Sequence, residues 1–160
     1  FGCNFISLMP CNMYGPNDNY HPLNSHVLAA LIRKFVLAKK QKKNIVEIWG
    51  SGKPLREFMH VDDFAEATIF ASKKYNSSKP INIGTGEEIN IKKLGLLIAR
   101  LSEFKGKIVF NKNYPDGTKR KILNSNKIKK IGWKPRIKLK DGIKRTIKSF
   151  INESISNIAD

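Results

Sequence analysis

Cysteine is scarce in this chain, with only Cys3 and Cys11 present. Two thiols cannot build a disulfide framework or a zinc cluster, which argues for a reducing, cytoplasmic setting. Histidine is scarce too. His21, His26 and His60 match neither H-E-x-x-H nor a comparable ligand spacing, so no metal is expected. No run approaches the roughly 18–20 consecutive apolar residues of a membrane span, so no membrane partner is expected. There is neither an initiator methionine nor a signal peptide, and Phe1 lies within what reads as the approach to a strand. A partial chain, its beginning missing, is the expectation. Acidic residues are few as well: 13 against 30 Lys and Arg, for a net charge of +17. A surplus of that size suits nucleic acid or an anionic membrane. The lysines, however, are spread over presumed helix surfaces (Lys39-Lys40, Lys42-Lys43, Lys127 to Lys130, Lys138 to Lys148). No aromatic residues interleave with them as a single-strand platform requires, and abundant Lys, Asn and Ile read as compositional drift. No nucleic-acid partner is expected.

What the chain does have is 160 residues, 41% of them apolar, enough for one domain with its own core. Its organising stretch runs from Met9 to Lys34. A strand-like run, Phe5 to Leu8, leads into a turn-rich segment containing Pro10, Asn12, Gly15, Pro16, Asn17 and Asp18. A helix follows behind Asn24 and Ser25, both good N-caps, with His26 at its mouth. Strands that end in polar loops feeding helices are where open α/β sheets bind ligands. At about 100° per residue, Leu28, Leu31, Ile32 and Phe35 gather opposite His26, while Ala30 and Arg33 fall near it. A solvated face with an incidental histidine accounts for this pattern as well as a cleft does.

Further along, Ile45 to Trp49 alternates as a strand and ends in Gly50-Ser51-Gly52. An extended piece, Pro54 to Val61, precedes a helix capped by Asp62 or Asp63 and running to about Lys74, its stripe being Phe64, Ala67, Ile69, Phe70 and Ala71. Pro80 to Gly84 reads as a short buried strand. Asn90 caps a helix from Ile91 to about Glu103, and Lys107 to Phe110 is a strand before a polar loop, Asn111 to Arg120. Ser125 caps a short helix ending at Gly132, and Leu139-Lys140-Asp141 opens a last helix to about Asn152. Alternating strands and helices make the fold class α/β. Gly84-Thr85-Gly86 lacks the third glycine of a dinucleotide fingerprint and reads as turn chemistry.

Taken in order, Pro10-Cys11-Asn12-Met13-Tyr14-Gly15-Pro16-Asn17-Asp18-Asn19, Asn24-Ser25-His26-Val27, Trp49-Gly50-Ser51-Gly52, Arg56-Glu57-Phe58, His60-Val61-Asp62-Asp63, Ile81 to Glu87 and Asp116-Gly117-Thr118 form a recognisable series. It closely resembles the GDP-L-fucose synthases, bifunctional epimerase/reductases of the extended short-chain dehydrogenase/reductase group. Tyr-Gly-Pro and Val-Asp-Asp occur across many nucleotide-sugar enzymes; the Pro-Asn-Asp-Asn, His-Pro and Asn-Ser-His series is far more diagnostic. The resemblance implies that residues 1–153 are the C-terminal half of such an enzyme: the last elements of an NAD(P)-binding Rossmann-type fold plus the smaller α/β substrate-binding lobe. The N-terminal Rossmann half would be missing, and residues 154–160 would be a frayed tail. It also implies NADP (NADPH) as cofactor, a GDP-sugar as substrate and a homodimer as the complete enzyme.

Carried over residue by residue, the resemblance makes His26 the acid/base of epimerisation, work that suits a group titrating near neutrality. Pro10, Cys11, Asn12 and Met13 would form a loop passing the nicotinamide end of NADP, with His26 beside it. Asn12, Val27, Leu31, Lys34, Trp49, Arg56, Asp116 and Lys121 would contact the GDP-sugar. An aromatic wall such as Trp49 suits a flat base, and Arg56 and Lys121 suit a diphosphate. Trp49 in a core, or Arg56 paired with Glu57 or Asp62 at the surface, remain open from residue type alone. Lys34 stands where the family commonly has Arg, and Cys11 where Thr is usual. The family's glycine-rich loop, catalytic Ser, Tyr-x-x-x-Lys pair and the Cys that partners His do not occur. Tyr75 and Lys79 match Tyr-x-x-x-Lys only by chance, in a polar loop. Alternatives are another nucleotide-sugar epimerase or dehydratase of the same group and, from a different class, a basic nucleic-acid-binding domain.

Overall fold

Strands and helices alternate along the chain in the computed structural model, which describes residues 2–156, with side-chain environments to Glu153. The order is β1 (Leu8–Pro10), β2 (Asn12–Tyr14), α1 (Val27–Lys40), β3 (Ile45–Trp49), β4 (Leu55–His60), α2 (Val61–Lys74), β5 (Ile81–Ile83), β6 (Glu88–Asn90), α3 (Ile91–Leu101), β7 (Lys107–Asn111), β8 (Arg120–Lys121), α4 (Asn126–Lys130) and α5 (Leu139–Ser156). Three small sheets result. β1 pairs with β5 and β3 with β7, both in parallel. β4 is the hub of the third: it takes β2 in parallel, β6 in antiparallel and β8 in parallel.

Two apolar clusters hold these layers. The larger joins α1, β3, α3 and α5 through Leu28, Ile32, Phe35, Ile48, Ile98 and Ile143. The smaller packs α2 and α4 on β5 through Ala67, Ala71, Ile81, Ile83 and Ile128. Each fully buried Leu, Ile or Phe contributes on the order of 1.5–3 kcal/mol, and truncating Ile98 to Ala would cost about 2–5 kcal/mol. The stripe expected on α1 is the one buried, and Asn90 caps α3 as expected, accepting from Lys93 N–H at 2.7 Å.

Several expectations need correction. The first strand starts at Leu8, and Phe5 is 83% exposed, because it is Leu8–Pro10 that aligns with buried Ile81–Ile83. The N-cap of α1 is His26 itself, not Asn24 or Ser25, and its side chain makes no capping bond. At α2 the cap is His60, whose Nδ1 accepts from Asp62 N–H at 3.2 Å. Asp63 is buried for another purpose: its two carboxylate oxygens accept the Arg136 and Ile137 N–H groups, each at 3.0 Å. That bond pair ties α2 to the segment leading into α5. Ile69, expected in the buried stripe, is 59% exposed. α3 stops at Leu101 rather than near Glu103, and the polar loop gives its ends to β7 and β8. α5 continues past Asn152 to Ser156, so the expected frayed tail is helical over 154–156, and its remaining residues, 157–160, lie outside the described residues.

The approach of α5 to the rest depends on Gly142. A Cβ there would sit 2.2 Å from the Tyr14 hydroxyl and 3.1 Å from the His60 ring, so only glycine fits. Among the described residues no helix is long and apolar enough to cross a membrane.

Candidate functional site

Alternation along β3 turns Val46 and Ile48 inward and leaves Ile45, Glu47 and Trp49 outward. Trp49, at the strand's end, therefore stands 46% exposed rather than in a core. Across from it, α1 presents Val27, Ala30, Leu31 and Lys34, and the two walls bound a cleft of about 210 Å³. A second cleft of about 190 Å³ lies between Val27, Trp49, Arg56, Ile91, Pro115 and Asp116. Val27 and Trp49 belong to both, so the two are halves of one groove. Val27, Leu31, Lys34, Trp49, Arg56 and Asp116, drawn from four segments of sequence, thus line one groove. Leu31 does so while also being core, at 3% exposure. Lys121 sits on β8 in register with Arg56, at the groove's margin and exposed.

The cations here are tethered. Lys34 Nζ donates to the Glu47 carbonyl at 3.0 Å and lies 4.7 Å from the Trp49 ring centroid, a cation–π contact. Burial, helped by nearby Arg33, holds Lys34 below its ordinary pKa, with Glu47 pulling the other way. Arg56 Nη1 donates to the Thr118 carbonyl at 2.6 Å and to the Leu55 carbonyl at 2.8 Å. Asp116 is engaged as well: its Oδ1 accepts Ser51 N–H and its Oδ2 the Ser51 hydroxyl, both at 2.6 Å. Those bonds keep its carboxyl below the ordinary range. They also require Gly50, whose φ is +83° and whose Cβ would fall 2.5 Å from the carboxylate. Arg56 and Asp116, expected as substrate contacts, are in this structure also the clasps that hold the β7–β8 loop against the groove.

A residue that sequence reasoning missed covers Trp49. Tyr114, on that loop, stacks on Trp49 with centroids 4.3 Å apart and planes 9° from parallel. An aromatic beside a proline in an otherwise polar loop was the only signal.

His26 is exposed and lies between Ser25 and Val27, which line the groove, without being part of the lining itself. Asp18 is within its electrostatic reach: burial raises the Asp18 pKa, and His26 opposes that rise. One Asp18 oxygen accepts Asn19 N–H at 2.7 Å; the other, Oδ2, is buried without a partner. Asp18 and Met13 line a shared shallow dip.

That segment is not the expected loop. Pro10 ends β1 and Asn12 begins β2, because Cys11 N–H bonds to the Ile83 carbonyl at 2.9 Å and Asn12 registers with Phe58. The Asn12 amide donates to the Glu57 carbonyl at 2.7 Å. The Cys11 thiol is pushed up to about 12 by burial first and Glu57 second. Met13, 39% exposed, is left to offer an apolar side chain to a ligand.

Glu57, considered from sequence as a surface partner for Arg56, is instead interior. It is fully buried, and it accepts Gly86 N–H at 2.7 Å, Leu123 N–H at 2.9 Å and the Thr85 hydroxyl at 3.4 Å. Its carboxylate fills the Gly84-Thr85-Gly86 turn. Gly86 N–H, a donor that such a turn would otherwise offer to a phosphate, is thus already taken. Tyr75 and Lys79 also behave as turn chemistry, the Tyr75 hydroxyl bonding to the Lys79 carbonyl at 2.7 Å while Lys127 contacts it from α4.

Comparison with known proteins agrees with this geometry. Residues 1–84, more than half of the chain, match the model of the NAD dependent epimerase/dehydratase family. GDP-L-fucose synthase 1 of Arabidopsis thaliana is 47% identical over 145 residues, covering 91% of this chain and 45% of that protein. GDP-L-fucose synthase of Escherichia coli (strain K12) is 41% identical over 160 residues, covering 94% of this chain and 50% of that protein. The crystal structure of a GDP-L-fucose synthetase from Naegleria fowleri bound to NADP superimposes with a TM-score of 0.90 at 28% identity, covering 95% of this chain and 48% of that one. The chain spans about half the length of the curated relatives it matches. With more than half its length matched, the chain belongs to the NAD dependent epimerase/dehydratase family.

Proposed function

We propose that this chain is the substrate-gripping half of an NADP-dependent enzyme that converts GDP-4-keto-6-deoxy-D-mannose to GDP-L-fucose, as a cytoplasmic homodimer. The observation that carries the reading is the convergence of Lys34, Trp49, Arg56 and Asp116 on one groove beside Val27. Such a groove offers a flat apolar surface to a base and cations to a diphosphate, with Lys121 at the margin adding a third charge. His26, at the groove's entrance, is assigned to the carbons flanking the C4 ketone: it moves a proton at C3 and C5, where the carbonyl makes those protons acidic. NADPH, when bound, supplies the hydride that reduces C4. In this chain Pro10–Met13 would border its nicotinamide end, positioned by the Asn12–Glu57 bond. Catalysis of the reduction by this chain alone is not expected.

In the complete enzyme, His26→Gln should abolish deuterium exchange at C3 and C5 while GDP affinity stays near wild type. Retained exchange would remove His26 from the reaction. A thermal-shift comparison in which UDP or dTDP stabilises the protein more than GDP would assign the groove to a different nucleotide-sugar.

A further inference from the structure

We propose that Tyr114 is a placeholder for the nucleobase: its ring occupies the face of Trp49 on which the base of a nucleoside diphosphate stacks, and the base binds by displacing it. The inference deepens the nucleotide-sugar reading above and rests on it. Two rings 4.3 Å apart and 9° from parallel are already in stacking contact. Inserting a third ring between them needs a separation of roughly 7 Å, twice the contact distance of about 3.5 Å. A base cannot therefore use that face while Tyr114 holds it.

Of the groups on the indole, Tyr114 is the one built to leave. Lys34 is half-buried and tied to the Glu47 carbonyl. Tyr114 is 40% exposed, its side chain makes no hydrogen bond among the described residues, and its loop is held by the Ser51–Asp116 and Arg56–Thr118 bonds. Those clasps keep the loop in place while the ring rotates away. They involve Asp116 and Arg56, which also line the groove. The ring's departure sacrifices one aromatic stack, which the incoming base restores.

The test is equilibrium binding of GDP, and of inorganic pyrophosphate as a probe without a base, to the complete enzyme and to Tyr114→Ala and Tyr114→Phe. Removing the competing ring should tighten GDP binding about two- to tenfold, the value of one aromatic stack, and leave pyrophosphate unchanged. Tyr114→Phe retains the ring and should stay with wild type. GDP binding that is unchanged or weakened in Tyr114→Ala would overturn the placeholder while leaving the groove reading intact. Equal tightening of GDP and pyrophosphate would overturn it too, since the gain would not involve a base. No GDP binding by any of the three proteins would overturn the groove reading, and the placeholder with it.

Discussion

Replacing Glu57 by glutamine exchanges one oxygen for an NH₂ group and should unsettle the whole centre of the molecule. The carboxylate is fully buried, and its two oxygens each serve a different backbone donor: Oε1 takes Gly86 N–H and Oε2 takes Leu123 N–H. Glutamine offers one acceptor oxygen and one NH₂ group. Whichever way the amide is turned, one backbone N–H faces another donor. An unpaired buried donor costs about 1–3 kcal/mol. The surviving bond loses its charge assistance, which is worth about 1 kcal/mol more. Near 3 kcal/mol in total, the loss corresponds to a fall in Tm of about 6–12 °C for a chain of this size. Circular dichroism melts of the two proteins at neutral pH would measure it. A Glu57→Gln protein melting within about 2 °C of wild type would refute the reasoning, because it would mean that water or loop movement satisfies those donors at no cost.

Two other groups give sharp expectations. His60 is buried against Tyr14, and burial lowers its pKa; Asp62 and Asp63 favour its charged form while Arg145 opposes it. The folded state thus resists protonating it. Its contribution to stability is complete above the ordinary value of 6.5 and is lost as pH falls below that toward the depressed folded value. Urea midpoints between pH 8 and pH 5 should fall more steeply for wild type than for His60→Asn, which keeps an acceptor for Asp62 N–H; parallel slopes would contradict this. Cys11, at about 12, holds roughly one part in ten thousand as thiolate at pH 8. Iodoacetamide should therefore modify exposed Cys3 in the native protein and reach Cys11 only in denaturant. Comparable native rates for both would show the Cys11 environment to be misread.

Much of this was legible in advance, for physical reasons that also mark where legibility ends. The α1 stripe and the alternation of Ile45–Trp49 read correctly because each depends on local periodicity and a single buried face. β6 and β8 did not read at all. Three and two residues long, they exist only because β4 offers them an edge. The start of β1 was misplaced by three residues, since the alignment with Ile81–Ile83 is set across more than seventy residues of intervening chain. His60 was passed over as a cap in favour of Asp62 or Asp63 because propensity favours the carboxylate, whereas burial of the imidazole decides the matter. In the groove, the family resemblance supplied Lys34, Trp49, Arg56 and Asp116. Tyr114 and Ser51 came only from coordinates, because their roles are contacts with those residues and not patterns in their own segments.

Cys11 is the only residue between β1 and β2, and its neighbours on either side answer to different ladders. A shift of half an ångström in β5 has no slack in which to dissipate before it reaches β4. The β1–β5 ladder and the ladder that carries Arg56 are therefore geared to each other through a single α-carbon. Evolution can alter what either side grips, but it cannot move one without the other.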